Sequence, residues 1–362
     1  MLDPYLFKGR FEYDPDMGFR SRAYYPAGLY DVPDQDTVTN RFGFNMPDYP
    51  LTKAPGTFRI LFVGDSFSWA GGVKNNYIGL LQQAFDAQSG PRKIEIINTG
   101  YPGTHTGEQL IMLKKFGLQY DPDLVILGFF AGNDFFDADP NRKRLVLNDS
   151  LYDIDRRHEH RWFGYPIVFQ SRAYIFLQQK YETYLRNRQA KKEAAEWASL
   201  TGQPAPTNNL PADLFYGIQR AKLAFFNKRT SEKQFGSNVE FIFRSITDMD
   251  ELLKARHVPL LVAIYPDELQ VSRPQFETLV QRFGLKADDY DLDLAEKRLR
   301  GFLETKGIPY IDLLDRFRAE EQKQDLYLLR NTHWNLNGNK LAEETIFDYL
   351  NNSPEGRQLM SH

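Results

Sequence analysis

The chain has 362 residues, with 45 Lys and Arg against 48 Asp and Glu for a formal charge of −3, so no broad basic field is offered to a nucleic acid and that partner class is excluded. At 42% hydrophobic and 26% charged, it has the composition of a globular protein long enough to bury a large core, not that of a disordered or fibrous chain. It contains no cysteine, which removes disulfides, thiolate metal sites and a cysteine nucleophile.

Aromatic residues make up 14%, with 28 Phe and 20 Tyr, a content that suits a large core and a ligand groove alike. No run approaches the roughly 18 apolar residues of a membrane-spanning helix. The longest candidate, Leu124 to Gly132, is strand-length. The first residues lack the basic start, apolar run and small-residue cleavage site of a secretory signal. The expectation is a cytoplasmic protein as written, or a periplasmic or membrane-associated one if an export segment stands outside this sequence. Oligomeric state is not legible.

Residues 1–56 are rich in Pro, Asp, Tyr and Phe without helical or strand period, and read as an arm packed across the domain. Short apolar runs follow at Phe58 to Gly64, Ile94 to Asn98, Leu124 to Gly128, Leu260 to Tyr265 and Tyr310 to Ile311, and read as buried strands. Helical spacing separates them at Tyr77 to Ala87, Gln109 to Phe116, Val239 to Ala255, Leu292 to Thr305 and Lys340 to Leu350.

Alternation of this kind implies βαβ units. The expected fold is a three-layer α/β/α domain with a mainly parallel sheet of about five strands, flavodoxin-like, over residues 57–135 and 238–362. Residues 136–237 interrupt the alternation and read as a mainly helical insertion or cap, whose stripe Tyr174, Leu177, Tyr181, Leu185 suits a packed face better than a membrane or acyl-chain surface. Right-handed crossovers put the carboxyl ends of all the strands on one edge, so chemistry belongs just after a strand.

The first strand ends in Gly64-Asp65-Ser66-Phe67-Ser68, which places a serine hydroxyl at an exposed strand-to-helix turn, where a nucleophile is needed. The second leads into Asn98-Thr99-Gly100-Tyr101-Pro102-Gly103, and the third into Ala131-Gly132-Asn133-Asp134. Glycine admits a ligand close to the backbone and an Asn side chain donates without charge, so these ends can form an oxyanion hole with the Ser66 N–H. Arg330-Asn331-Thr332-His333-Trp334 precedes the last helix, and His333 is the candidate base. Of the other histidines, His158 and His160 could form a metal pair, but further ligands at a readable spacing are lacking. The first strand carries no glycine cradle for a phosphate, so a doubly wound nucleotide-binding protein is set aside.

The ordered blocks Gly64-Asp65-Ser66-Phe67, Gly103, Gly132-Asn133-Asp134 and His333-Trp334 resemble the four blocks of the SGNH (GDSL) hydrolase family, over a region from about Arg59 to Asn351. Asn40-Arg41-Phe42-Gly43-Phe44 resembles segments of bacterial members linked to cell-surface polysaccharides. The resemblance implies a serine nucleophile at Ser66, a base at His333, and an oxyanion hole from Ser66, Gly103 and Asn133. Asp65 and Trp334 are candidate substrate contacts, though Asp65 also suits holding the turn and Trp334 also suits the core. No cofactor or metal is required.

Two positions depart from the family. Ala131 stands where the family has Gly, with Gly132 displaced by one residue. The family's Asp, two or three residues before the His, is replaced by Asn331 and Arg330. Asn331 is then the expected orienter of His333, with Asp315 and Asp325 as alternatives from neighbouring loops. The expected activity is cleavage of an acyl, and specifically acetyl, ester on a carbohydrate or small molecule through an acyl-enzyme. The alternatives are acyl transfer to a sugar hydroxyl and a non-catalytic glycan- or protein-binding role.

Overall fold

The computed structural model describes residues 11–25, 39–88, 92–138 and 210–361, with shorter stretches between 144 and 199. Five parallel strands form the central sheet: β1 (Thr57–Val63), β2 (Lys93–Asn98), β3 (Leu124–Phe130), β4 (Leu260–Tyr265) and β5 (Tyr310–Asp312), in the order β5-β4-β3-β1-β2. Every residue of β1, β3 and β4 is buried, as expected of strands covered on both faces and read from continuous apolar runs.

Six helices matter to the site and its support: α1 (Tyr77–Ala87), α2 (Thr106–Lys115), α3 (Ala212–Leu223), α4 (Ser231–Lys254), α5 (Leu294–Lys306) and α6 (Leu336–Asn352). One face of the sheet, with Ile60, Phe62, Ile126 and Ala263, packs on Leu81 and Phe85 of α1 and Ile346 and Leu350 of α6. The other face, with Leu61, Val63, Leu127 and Val262, packs on Leu113 of α2, Ile242, Ile246 and Met249 of α4 and Leu299 and Leu303 of α5. The three-layer α/β/α expectation therefore holds, with alternate strand residues serving opposite cores.

Helix α4 begins at Ser231, eight residues before its expected start, because the amphipathic pattern extends into a stretch whose Lys, Gln and Ser resemble a loop. In the arm, Phe11–Glu12 and Arg20–Ser21 pair antiparallel, an element too short to carry a period. The described arm is tied to the domain by Arg59, which is 1% exposed on β1. Its guanidinium donates to Glu95 Oε2 at 2.9 Å, to Pro50 O and Leu51 O at 2.8 Å, and to Tyr120 O at 2.7 Å. Phe19 and Phe44 add rings at 5.7 and 6.5 Å from Tyr101.

The insertion contributes two short antiparallel pairs, Arg144–Leu147 with Ser150–Asp153 and Arg161–Trp162 with Tyr165–Pro166, which helical spacing had not suggested. Its described residues between 181 and 199 are helical. Tyr181 and Leu185 are exposed there, at 63% and 43%, so this end of the stripe is not packed as expected. Tyr174, Leu177, His158 and His160 lie outside the described residues. Among the described residues no helix is long and apolar enough to cross a membrane.

Candidate active site

The strand order brings three separated motifs to neighbouring loops on one edge of the sheet. Strand β1 lies between β2 and β3, so the turn carrying Ser66 is flanked by the loop with Gly103 on one side and the turn with Asn133 on the other. Neighbouring strands lie about 5 Å apart, which is the scale of a reacting group. The loops are stitched together: Asn98 Nδ2 donates to Ser68 O at 2.7 Å, Tyr101 N to Gly64 O at 2.9 Å, and Asn45 Nδ2 from the arm to Trp69 O at 3.0 Å.

His333 arrives from the opposite end of the sequence on a hairpin-like loop. Leu328 N donates to His333 O at 2.9 Å, Asn331 N to Leu328 O at 3.1 Å, and Tyr327 bridges Trp334. Asn335 then starts α6, its side chain accepting from Gly338 N at 3.0 Å. The ring of His333 sits 5.2 Å from that of Phe67. Its Nε2 stands 2.8 Å from Ser66 Oγ and its Nδ1 stands 2.7 Å from Asn331 Oδ1.

An amide oxygen only accepts, so Nδ1 carries the ring proton and Nε2 is left as an acceptor for the serine hydroxyl. Burial disfavours the imidazolium, and the Lys222 ammonium repels it further, so the His333 pKa falls from 6.5 to about 3. The resting imidazole is therefore neutral, with Nε2 facing Ser66 Oγ. Asp315 and Asp325 are exposed, and His333 Nδ1 meets Asn331 instead of either acid.

Asn133 lies half-buried after β3, its Nδ2 donating to Asp137 Oδ2 at 2.8 Å. An amide has two hydrogens, so one remains for another acceptor. The side chain does not cap the helical turn Asp134–Asp137. Gly132 has a steric reason to be glycine: an added Cβ would run into Asp267 Oδ2 and the Phe130 ring. Gly103 adopts φ +71°, a conformation that favours glycine, and lies exposed.

Two candidate substrate contacts are corrected by burial. Asp65 is 2% exposed and its Oδ1 accepts from Phe67 N at 2.9 Å, so it holds the nucleophile turn. Trp334 is 3% exposed, wedged among Phe67, Tyr265 and Phe317 with ring centroids 4.8, 5.1 and 5.1 Å away, so it belongs to the core. Asp65 and Asp134 are both buried, and their carboxyls are pushed up by that burial and by neighbouring carboxylates.

Charged residues missed from the sequence surround these groups. Lys222 of α3 pairs with Asp267, both buried, and the ammonium lies 5.2 Å over the Phe130 ring. Asp267 follows β4, so its place at a strand end was a usable signal. Lys222 had none, because it sits late in the insertion. Arg330 pairs with Glu193 of the insertion, a contact across 137 positions that no local pattern announces.

Residues 225–362 match the family model described as the SGNH hydrolase-like domain of the acetyltransferase AlgX. No curated protein matches the chain. Among solved structures, the acetyl xylan esterase AlAXEase is 15% identical, covering 80% of this chain and 98% of its own, with a TM-score of 0.42. The lipase/acylhydrolase from Enterococcus faecalis is 13% identical, covering 81% and 95%, with a TM-score of 0.40. The psychrotrophic esterase EstA from Pseudoalteromonas sp. is 14% identical, covering 84% and 99%, with a TM-score of 0.38. The matched region carries Asn331 and His333, and the Ser66, Gly103 and Asn133 motifs precede it, each after a strand of the same sheet. Residues 225–362 of this chain are thus similar to an SGNH hydrolase-like domain.

Proposed function

We propose that the chain is a serine esterase that removes an acyl group, an acetyl in the first instance, from a carbohydrate ester. The observation that carries this reading is the continuous chain from Ser66 Oγ through His333 to Asn331, at 2.8 and 2.7 Å. Ser66 Oγ attacks the ester carbonyl while its proton passes to His333 Nε2. The tetrahedral oxyanion is held by the Asn133 amide and the N–H groups of Ser66 and Gly103. Collapse expels the alcohol, which takes the proton from His333 and leaves an acyl-Ser66 ester. Water then repeats the sequence and releases the acid.

Asn331 fixes the tautomer of His333 as an Asp would, but brings no negative charge to the imidazolium. A second reading is favoured by the family match, whose description names an acetyltransferase, and by the 5% exposure of His333, which limits water at the base. In it a sugar hydroxyl replaces water in the second half-reaction. Incubation with an acetylated oligosaccharide, with and without an unacetylated acceptor, separates the two. Free acetate from both mixtures indicates an esterase, and acetyl on the acceptor with little acetate indicates transfer. Neither product above the Ser66→Ala background rejects both readings.

A further inference from the structure

Arg330 stands three residues before His333, on the loop tip between Leu328 and His333, with φ +50°. The left-handed region is unfavourable for a residue with a side chain, and Gly or Asn fills it more readily. Something must therefore hold an arginine there. Its guanidinium meets Glu193, with side-chain exposures of 18% and 14%. Its carbonyl accepts from Leu210 N at 3.2 Å, so both main chain and side chain are anchored to the insertion.

Glu193 is itself a junction. Its carboxylate accepts from Gln189 Nε2 at 3.0 Å within its own helix and from Ala212 N at 3.1 Å at the start of α3. Burial opposes its charge, but these donors and Arg330 outweigh it, and the carboxyl is held below the usual range. One carboxylate thus joins the insertion helix, the entry to α3 and the loop that carries Asn331 and His333.

We infer that Arg330 is a positioning residue: its ion pair with Glu193 clamps the loop to the insertion and so sets the alignment of Asn331 and His333 on Ser66. The inference rests on the esterase reading for its consequence, since alignment matters only if His333 serves Ser66. Asn331 is the next residue, and a shift of about 1 Å at the tip would open the 2.7 Å contact that orients the imidazole. The insertion thereby acts on the reaction without lending a group to it.

The test uses the full-length protein with four changes: Arg330→Met, Arg330→Lys, Glu193→Gln, and Arg330→Met combined with Glu193→Gln. Glu193→Gln keeps an acceptor for Ala212 N and removes only the charge. The readouts are the rate of fluorophosphonate labelling of Ser66, kcat and KM on an aryl acetate, and hydrogen–deuterium exchange over residues 326–335. The clamp predicts that Arg330→Met and Glu193→Gln each lower the labelling rate and kcat roughly ten- to a hundredfold with KM within about threefold. The double variant falls no further than the worse single, and Arg330→Lys retains most of the rate.

Exchange in the loop should rise in both charge-removing singles. Singles within twofold of the parent, or losses that multiply in the double variant, overturn the clamp. If the parent itself neither labels nor turns over, the esterase reading fails, and the exchange arm alone decides the clamp: faster loop exchange sustains it and unchanged exchange rejects it.

Discussion

His333 Nδ1 and Asn331 Oδ1 lie 2.7 Å apart, so a neutral amide occupies the place at which a carboxylate would meet the base. An amide oxygen selects the same tautomer as a carboxylate, but offers no charge to the imidazolium that forms as Ser66 attacks. The difference between amide and acid is then purely electrostatic.

Asn331→Asp should therefore raise kcat by roughly tenfold, the size of about 1.4 kcal/mol of added stabilisation of the imidazolium. It should also move the acid limb of kcat/KM to higher pH. In the parent, burial and then the Lys222 charge hold His333 at about 3, so the base stays deprotonated into acid solution. A new carboxylate favours the protonated ring, raises its pKa, and requires a higher pH to free Nε2. Asn331→Ala should cost roughly ten- to a hundredfold without that shift. A pH–rate series on the three proteins checks both signs.

At the opposite side of the nucleophile, Asn133→Ala should lower turnover roughly a hundredfold or more with little change in KM, as expected of a donor that acts on the oxyanion. Gly132→Ala should produce a comparable loss for a different reason, since its Cβ would displace Asp267 or Phe130 beside the same turn. The two separate on stability: only Gly132→Ala should lower the melting temperature. Steady-state kinetics with a thermal melt measures both effects.

The alternation of strands and helices was legible because β1, β3 and β4 are continuous apolar runs and α1 keeps a clean period from Tyr77 to Ala87. That Ser66, Gly103 and Asn133 stand on loops at one edge of the sheet also followed from sequence, since each lies in the loop after a strand and a parallel sheet aligns those ends. Trp334 was ambiguous because an aromatic next to a histidine looks the same whether it faces a sugar or Phe317. The Arg330 and Lys222 partnerships could not be read. Each joins segments distant in sequence, and a charge pair leaves no period in the chain.

Burial of Trp334 predicts a stability role. Trp334→Ala should cost about 3–5 kcal/mol, the range for emptying a large aromatic site in a core, and Trp334→Phe much less. KM for a carbohydrate ester should be unchanged in Trp334→Phe. Denaturant unfolding and a Michaelis series test the pair of statements, and a raised KM with intact stability would return the residue to the substrate.

Asp65 and Asp134 share a buried region in which both carboxyls are pushed above their ordinary value, first by burial and then by neighbouring carboxylate charge. A group whose pKa is raised on folding gives stability that is present below its unfolded value and is lost as pH climbs through its folded value. Asp134→Asn keeps an acceptor for the Phe130 N–H, which now lies 3.0 Å from Asp134 Oδ2, and removes the titration. Its stability relative to the parent should rise between pH 5 and pH 8. Unfolding curves at the two pH values measure it, and a difference that does not change with pH would contradict it.

Intact mass after treatment with a fluorophosphonate, for the parent and Ser66→Ala side by side, tests activation of Ser66 without requiring the natural ester. A single adduct on the folded parent, absent from Ser66→Ala, is the predicted result. An unlabelled parent, or equal labelling of both proteins, would contradict a serine nucleophile served by His333 and Asn331.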